Sequence, residues 1–280
     1  SDGNSTVYLT IPENESNVTI ISASDQDSDE ISYSLSGGED MSLFSLDESN
    51  LTVFFTNPPD FENPIDSNAD NEYVVVVRAT DLTGRYDDQT IIVNITNINE
   101  PLAITSFNGN ESASFNTNEN ETMVSTITAL DEDFDNISYS LNGGADQAFF
   151  TIDESSGILV FQSSPDFENP DDSDANNIYH VTVRVEDGKG YYDEQSLTIS
   201  VLDIDEAPII SSNSGSEETT LSIFENDSFV CKIEATDQDG GTLSYSISSG
   251  DDLELFSINP SSGNLVFQNP PDFENPTDVN

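Results

Sequence analysis

The chain of 280 residues carries 5 Lys and Arg against 55 Asp and Glu, a formal net charge of −50 that excludes nucleic acid and anionic lipid as partners and favours cations. A hydrophobic content of 34%, with 16 Phe and 9 Tyr, is enough to build folded cores and argues against disorder. The single cysteine excludes an intrachain disulfide, and the lack of an apolar run of about 20 residues predicts no direct membrane insertion.

Residues 1–100 contain short alternating or apolar segments separated by turn residues, and this pattern predicts β-strands. The predicted strands, named A to G in chain order, are 7–11, 18–23, 31–35, 44–46, 51–55, 73–79 and 91–95. Strand F places Tyr73, Val75 and Val77 on one face, and strand G places Ile91 and Val93 on one face. Seven short antiparallel strands predict an all-β fold, a Greek-key β-sandwich of immunoglobulin-like topology.

The turn before strand E is expected to contain one residue in the left-handed backbone conformation, with a positive φ. Gly157 and Gly263 lie in this turn further along the chain. Among residues 1–100 we expect Asn50 to take the same role, although it lies one residue away from the position that the spacing of Gly157 and Gly263 indicates. After Gly, Asn is the residue that best adopts this conformation.

The pattern recurs with a period of 106 residues, since the string PDFENP begins at Pro59, Pro165 and Pro271. A period of this length indicates one domain per repeat. We expect repeat 1 at residues 1–100, repeat 2 at 101–206 and a truncated repeat 3 at 207–280 that lacks its last two strands. The start at Ser1, without a Met, is expected of a piece of a longer protein.

Strand parity predicts where the acidic residues meet. Strands A, C, E and G run toward the C-terminal end of a repeat, and strands B, D and F run toward its N-terminal end. Acidic loops after A, E and G therefore face the acidic loops after B and F of the next repeat. The candidate metal ligands are Glu13, Asp60, Glu62, Asn97, Asn99, Glu100, Asp131, Asp133 and Asp187 at junction 1, and Glu119, Asp166, Glu168, Asp203, Asp205, Glu206, Asp237 and Asp239 at junction 2.

The donor set selects the metal. Seven of the nine side chains at junction 1 are carboxylates, and the other two are amides. Two like charges about 4 Å apart cost roughly 4 kcal/mol at an effective dielectric near 20, so cations are needed to hold the loops together. Hard oxygen donors without His or Cys favour calcium over zinc or copper, and magnesium prefers fewer protein ligands. The alternative is that these acids only keep the loop tips soluble.

The motifs resemble the cadherin repeat, especially its bacterial cadherin-like type. The matching segments are 12–14 (PEN), 23–27 (ASDQD), 60–62 (DFE), 79–81 (ATD), 97–101 (NINEP) and 203–208 (DIDEAP). This resemblance implies about three Ca²⁺ per junction, which stiffen a rod of stacked domains on the outside of a cell. Asn97 replaces the first linker acid and is expected to weaken calcium binding at that position of junction 1. Junction 2 lacks a counterpart of Asp187 and is expected to bind calcium more weakly than junction 1.

The function expected from this resemblance is that of a calcium-binding rod of a surface or secreted adhesion protein. Its partners are calcium and neighbouring repeats, with homophilic contacts, other surface proteins and glycans left open. A spacer or carbohydrate-binding module of a secreted polysaccharide-active enzyme is the alternative. A hydrolase using Asp60 and Glu62 is disfavoured, because the pair recurs at the end of each repeat and not in a cleft. The acidic loops 66–71 and 172–177 predict either a further cation or an Asx-turn.

Overall fold

Repeat 1 folds into seven strands, as the sequence predicts. A computed structural model describes residues 5–278. The strands are β1 (Ser5–Pro12), β2 (Asn17–Ile20), β3 (Ser32–Gly37), β4 (Phe44–Asp47), β5 (Thr52–Phe55), β6 (Glu72–Thr80) and β7 (Tyr86–Thr96). They form a four-stranded sheet in the order β1-β7-β6-β3 and a three-stranded sheet in the order β2-β5-β4. The fold is all-β, and each complete repeat contains one four-stranded and one three-stranded sheet.

The pairing directions agree with strand parity. β1 runs parallel to β7, and the other neighbours in both sheets of repeat 1 are antiparallel. β1, β3 and β7 therefore all run toward the C-terminal end of the repeat, and a hydrogen bond from the N–H of Phe61 to Glu13 places the loop after β5 at the same end. β7 begins earlier than predicted, because its first residues pair with the end of β6, from Thr80 opposite Tyr86. Those residues are polar and carry no apolar alternation that the sequence could reveal.

The core of repeat 1 lies between the two sheets. Tyr73, Val75 and Val93 are fully buried on β6 and β7, and Val53 and Phe55 on β5 close the core from the other sheet. Each such apolar side chain contributes on the order of 1.5–3 kcal/mol when it leaves water. The predicted inward faces of strands F and G are thus confirmed.

Repeat 2 repeats this arrangement and adds two short strands at its N-terminal side. Its strands are β8 (Ala103–Ile104), β9 (Ser112–Asn118), β10 (Met123–Thr126), β11 (Ala129–Leu130), β12 (Ser138–Leu141), β13 (Phe150–Ile152), β14 (Ile158–Phe161), β15 (Ile178–Glu186) and β16 (Tyr192–Leu202). The sheets are β12-β15-β16-β9, β10-β14-β13 and the small pair β11-β8. Through Leu102 and Ile104 the linker after repeat 1 joins the buried core of repeat 2.

In residues 207–278 of repeat 3, which stop before the positions of strands F and G, two further strands are not formed. Within the described residues it forms β17 (Ile209–Ile210), β18 (Phe229–Lys232), β19 (Ala235–Thr236), β20 (Phe256–Ile258) and β21 (Asn264–Phe267). The sheet β18-β21-β20 is kept, whereas strands A and C are not formed in the described part of this repeat. The reason is that A pairs with G and C pairs with F, so both lack a partner. An open groove of about 910 Å³ remains, lined by Tyr245, Phe256 and Leu265 among others.

The irregular turns follow the repeat as well. The described residues contain 3₁₀ turns at Met41–Leu43, Ser106–Gly109, Gln147–Phe149, Ser212–Gly215 and Leu253–Leu255. The turn at Ser106–Gly109 is left-handed, with φ of 52° at Phe107 and 61° at Asn108. Gln195, only 1% exposed, holds this turn by donating from Nε2 to the carbonyl oxygens of Asn110 at 2.6 Å and Ser106 at 3.2 Å.

The left-handed residue before strand E of repeat 1 is Leu51 and not Asn50. Leu51 has φ of 59°, and Gly157 at the same place in repeat 2 has φ of 68°. The two positions are one period apart, so the one-residue shift expected from the sequence is wrong. Asn50 instead accepts a hydrogen bond from the backbone N–H of Thr52 at 3.0 Å. Leu51 packs against the core, which keeps a bulky residue in this unfavourable conformation.

Candidate metal sites at the repeat junctions

A buried glutamate organises the C-terminal end of each complete repeat. Glu13 directly follows β1 and is 2% exposed. Its Oε2 accepts a hydrogen bond from the backbone N–H of Phe61 at 2.7 Å, and its Oε1 accepts one from Ile98 at 2.9 Å. One carboxylate therefore ties the loop after β5 to the linker after β7. Glu119 does the same in repeat 2 with the N–H groups of Phe167 and Ile204, each at 2.8 Å.

The linker of junction 1 is bonded directly to the acidic loops of repeat 2. Asn99 donates from Nδ2 to Oδ2 of Asp187 at 2.7 Å, and the backbone N–H of Glu100 donates to Oδ2 of Asp133 at 2.8 Å. Across junction 2 the N–H of Glu206 donates to Asp239, also at 2.8 Å. The two repeats on either side of a junction thus bring their acids together, as strand parity predicts.

The carboxylates form groups of three, and within each group one oxygen from every residue lies within 4.8 Å of the others. These groups include Glu13–Asp60–Glu62, Glu62–Glu100–Asp133, Asp131–Asp133–Asp135, Glu119–Glu168–Asp203 and Glu168–Glu206–Asp239. Two of them, Glu62–Glu100–Asp133 and Glu168–Glu206–Asp239, combine side chains from both sides of a junction and are one period apart. Like charges at this distance repel strongly without a counterion.

Several oxygens of these groups and of the neighbouring linker residue Asn99 are buried without any hydrogen-bond partner among the described residues. They are Asn99 Oδ1, Glu100 Oε2, Asp131 Oδ2, Asp133 Oδ1, Asp135 Oδ2, Glu168 Oε2, Glu206 Oε2 and Asp239 Oδ1. A buried polar atom without a partner costs about 1–3 kcal/mol, and more when it carries charge. Such orphaned oxygens, aimed into shared clusters, are the arrangement that a bound cation satisfies.

Burial and mutual repulsion change the acidity of the junction carboxyls. Burial, and then the charges of Glu13 and Asp133, raise the pKa of Glu100 to about 7. Burial first, and then nearby acids, also raise the pKa of Glu62 and Glu206. Burial works against ionisation of Asp187, but hydrogen bonds from Asn99 and from three backbone N–H groups lower its pKa to about 2. A divalent cation at the junction would favour the ionised form of all these groups.

The other predicted residues lie at the same two ends of the repeats. Asn97 donates from its amide to Oε1 of Glu62. Asp166 and Asp237 each hold their own loop by accepting a backbone N–H, from Asn169 at 3.0 Å and Gly241 at 3.1 Å. Asp205 lies in the linker of junction 2 and is exposed.

Sequence reasoning missed one acid and its basic partner. Asp135 joins the group of Asp131 and Asp133, and its Oδ1 forms an ion pair with Nζ of Lys189 at 2.7 Å. The signal was present, because acids occupy every second position from Asp131 to Asp135. Lys189 lies in the turn between β15 and β16, so only the tertiary structure brings it to this loop.

The loops 66–71 and 172–177 are organised by their own backbone. Oxygens of the buried Asp66 accept N–H groups from Asn68, Asp70 and Asn71 at 3.1–3.2 Å. Asp172 accepts the corresponding bonds in repeat 2 at 2.9–3.3 Å. These contacts correspond to the Asx-turn alternative.

Within the described residues, no helix is long and apolar enough to cross a membrane.

Comparison with known proteins identifies similar domains. The family model of the cadherin domain matches residues 8–96 and 111–202. The Fat-like cadherin-related tumor suppressor homolog of Drosophila melanogaster is 26% identical over 268 residues, which is 91% of this chain and 5% of that protein. Human Protocadherin-23 is 32% identical over 154 residues, 51% of this chain and 4% of that protein. The chain therefore spans about one-twentieth of the length of these relatives.

The fold of solved structures is also similar. The crystal structure of human CDH23 EC21-23 aligns with a TM-score of 0.57 at 19% identity, covering 98% of this chain and 92% of that chain. Mouse Cadherin-23 EC22-24 aligns with a TM-score of 0.50 at 24% identity, covering 98% and 87%. At these identities the likeness concerns the fold alone. The bacterial type expected from the linkers stays a prediction, since these relatives are animal proteins.

Proposed function

The chain belongs to the cadherin family, because the cadherin-domain model matches two segments that together make up more than half of it, and from this premise we propose that it is a calcium-stiffened section of an extracellular adhesion protein. Its relatives carry the names of cadherins and protocadherins. This favours an adhesion protein over a spacer of a polysaccharide-active enzyme or a hydrolase. Asp60 and Glu62 group with Glu13 at the end of the repeat, which also disfavours the hydrolase.

The observation that carries the proposal is the set of buried oxygens without partners at both junctions. They come from the linker, from the loop after strand E and from the following repeat, and those of Glu100 and Asp133 recur one period later at Glu206 and Asp239. Ca²⁺ takes six to eight oxygen ligands at about 2.3–2.6 Å with flexible geometry, which suits a large carboxylate and amide cluster. Calcium bound there would supply the positive charge that allows the two repeats to approach.

The proposed ligands of junction 1 are Glu13, Asp60, Glu62, Asn97, Asn99, Glu100, Asp131, Asp133 and Asp187. Those of junction 2 are Glu119, Asp166, Glu168, Asp203, Asp205, Glu206, Asp237 and Asp239. We propose about three ions per junction and repeat boundaries after residues 100 and 206. Two separate buried cores, one on each side of junction 1, support the first boundary.

Calcium bound between two repeats is proposed to stiffen the rod, because it stabilises one relative placement of the repeats. A metal that binds only when two repeats are correctly placed stabilises that placement. Extracellular modules of this kind bind calcium with Kd on the order of 10⁻⁴–10⁻³ M, so the millimolar calcium outside cells would keep the junctions loaded. The agreement between this Kd range and the extracellular calcium concentration supports a location of the chain outside the cell.

Calcium titration followed by small-angle X-ray scattering tests the proposal. We expect the maximum dimension to rise as calcium fills the junctions and to fall again with chelator. The variant Glu100→Gln removes a clustered carboxylate and should need more calcium for the same change. The control variant Glu48→Gln removes an exposed acid outside the clusters and should behave as the wild type. A maximum dimension that is independent of calcium would refute the stiffening mechanism, and equal behaviour of the two variants would remove Glu100 from the proposed ligands.

A further inference from the structure

The outer face of the four-stranded sheet of repeat 1 carries an apolar row that no other segment of residues 5–278 covers. Tyr8 on β1 lies beside Ile92 on β7, and Ile92 lies opposite Val74 on β6, so the three side chains cross three strands in one line. Tyr8 is 68% exposed, and Ile92 and Val74 are half-buried. Val76 lies on the same face, two residues along β6 from Val74. We call the line of Tyr8, Ile92 and Val74 the apolar row.

Repeat 2 shows that the fold does not require this row. One period later the three positions are Ser114, Thr198 and His180, on strands paired in the same register. There the row is polar, and Oγ1 of Thr198 lies 3.2 Å from Nδ1 of His180. Val76 is likewise replaced by Thr182. The same scaffold thus carries a polar row in one repeat and an apolar row in the other.

The surroundings of the apolar row are acidic. Glu72 lies on the same face next to Val74 along β6, and Glu39 lies in the loop whose Asp40 bonds the carbonyl oxygen of Val74. The nearest basic residue on this face, Arg78, is neutralised by two hydrogen bonds of 2.7 Å to Asp88. With a net charge of −50, two copies of this chain repel each other, whereas a basic partner is attracted.

We propose that the apolar row is the centre of a binding surface for a protein segment with apolar side chains flanked by Lys and Arg. The apolar side chains of that segment cover the row, and its positive charges meet the acidic rim. An apolar centre with a polar, charged rim is the usual arrangement of protein interfaces. The surface uses none of the proposed calcium ligands and is independent of the calcium proposal.

The test exchanges the two rows without changing any Asp, Glu, Lys or Arg, and it is carried out at about pH 8, where His is largely neutral. The first variant carries Tyr8→Ser, Ile92→Thr and Val74→His, and the second carries Ser114→Tyr, Thr198→Ile and His180→Val. Every introduced residue already occupies the equivalent position of the other repeat, so both variants should fold, which amide NMR spectra verify. The probe is a synthetic peptide of alternating Leu and Lys, with a peptide of alternating Leu and Glu as its control.

Amide chemical shifts and calorimetry then measure binding to the whole chain in calcium. We expect the Leu-Lys peptide to shift signals of β1, β6 and β7 and to bind about tenfold or more weakly to the first variant, a loss of at least about 1.4 kcal/mol. The second variant should gain a further site in repeat 2. The Leu-Glu peptide should not bind.

Three results would overturn the proposal. Equal binding to wild type and first variant would mean that net charge alone attracts the peptide. No binding at millimolar peptide would mean that the row is not a site for this chemistry. A concentration-dependent dimer in sedimentation, lost in the first variant, would identify a second copy of the chain as the occupant.

Discussion

Single carboxylates at the ends of strands determine how the junctions are built. Glu13 and Glu119 each accept two backbone N–H groups that the loop and the linker cannot satisfy with each other. Hydrogen bonds to an ionised acceptor are about twice as strong as neutral ones, so these residues fix the linker before any ion binds. The remaining acids of the clusters have oxygens left over for a cation.

Glu100 predicts a pH dependence of calcium binding at junction 1. Its pKa is raised to about 7, first by burial and then by neighbouring acids. Protons should therefore compete with calcium, and the affinity should fall as the pH is lowered from about 8 to about 6. Without metal the folding stability depends on pH in the opposite direction. The reason is that the Glu100 carboxyl binds its proton more tightly in the folded state than in the unfolded chain. That stabilisation is present at low pH and is lost as the pH rises through about 7.

Calorimetric titration of calcium at several pH values measures this effect. The variant Glu100→Gln cannot titrate and should show a smaller change in affinity over the same range. Constant affinity of the wild type across this range would contradict the role assigned to Glu100.

Asn97 predicts a difference between the junctions that an exchange can measure. It occupies the position that Asp203 has in junction 2, one period later. The variant Asn97→Asp should raise calcium affinity at junction 1 by on the order of tenfold, because it adds a charged ligand. The reciprocal variant Asp203→Asn should lower affinity at junction 2. Terbium luminescence titration reads both changes, and an unchanged affinity in both variants would remove these positions from the ligand set.

At the scale of elements, the irregular segments are held by buried polar side chains. The left-handed turn Ser106–Gly109 is bonded to Gln195 on β16. The loops 66–71 and 172–177 are wrapped around the carboxylates of Asp66 and Asp172. In each case a side chain replaces the backbone partner that a strand would have supplied.

Gln195 predicts a measurable loss of stability. Gln195→Leu removes the buried donor that serves the half-buried Ser106 carbonyl and the Asn110 carbonyl and should cost repeat 2 about 1 kcal/mol or more. Gln89, one period earlier, is only half-buried and bonds to the exposed Ser5, so Gln89→Leu should cost repeat 1 less than about 1 kcal/mol. Urea unfolding followed by repeat-specific NMR signals compares the two. Equal losses would show that the left-handed turn does not depend on Gln195.

At the scale of the whole molecule, the chain combines two complete sandwiches with one that is open. The described residues of repeat 3 keep only the sheet β18-β21-β20 and the short pair β17-β19, and they expose Phe224 and Phe229. Apolar side chains that line its groove lack the covering sheet that buries their counterparts in repeat 2. Fewer buried contacts mean lower local stability.

Hydrogen exchange should therefore differ between equivalent strands. We expect amides of β20 and β21 to exchange at least about tenfold faster than those of β13 and β14, which occupy the same places in repeat 2. Exchange monitored by mass spectrometry or NMR in saturating calcium measures this. Equal protection in both repeats would contradict a frayed repeat 3.

The sequence by itself determined the seven strands of repeat 1, their directions and which acids meet at the junctions. Alternation along β6 and β7 is a local property, and strand parity carries it to the ends of each repeat without further information. Thus Glu62, Glu100 and Asp133 could be predicted to meet although they belong to three different segments. The oxygen-donor types of the proposed ligands also follow from the sequence, because the acids and amides repeat in phase with the strands.

Tertiary structure alone decided what depends on pairing between distant segments. Strands A and C of repeat 3 do not form, because residues 207–278 do not include their pairing strands G and F. Packing against the core holds Leu51 in a left-handed conformation. Lys189 pairs with Asp135 only because the turn between β15 and β16 lies next to the loop of Asp135. The apolar row is visible only when three strands lie side by side, since its residues are far apart in the chain. Hydrogen bonds and packing between remote residues have no local signature, and this is the physical reason for the division.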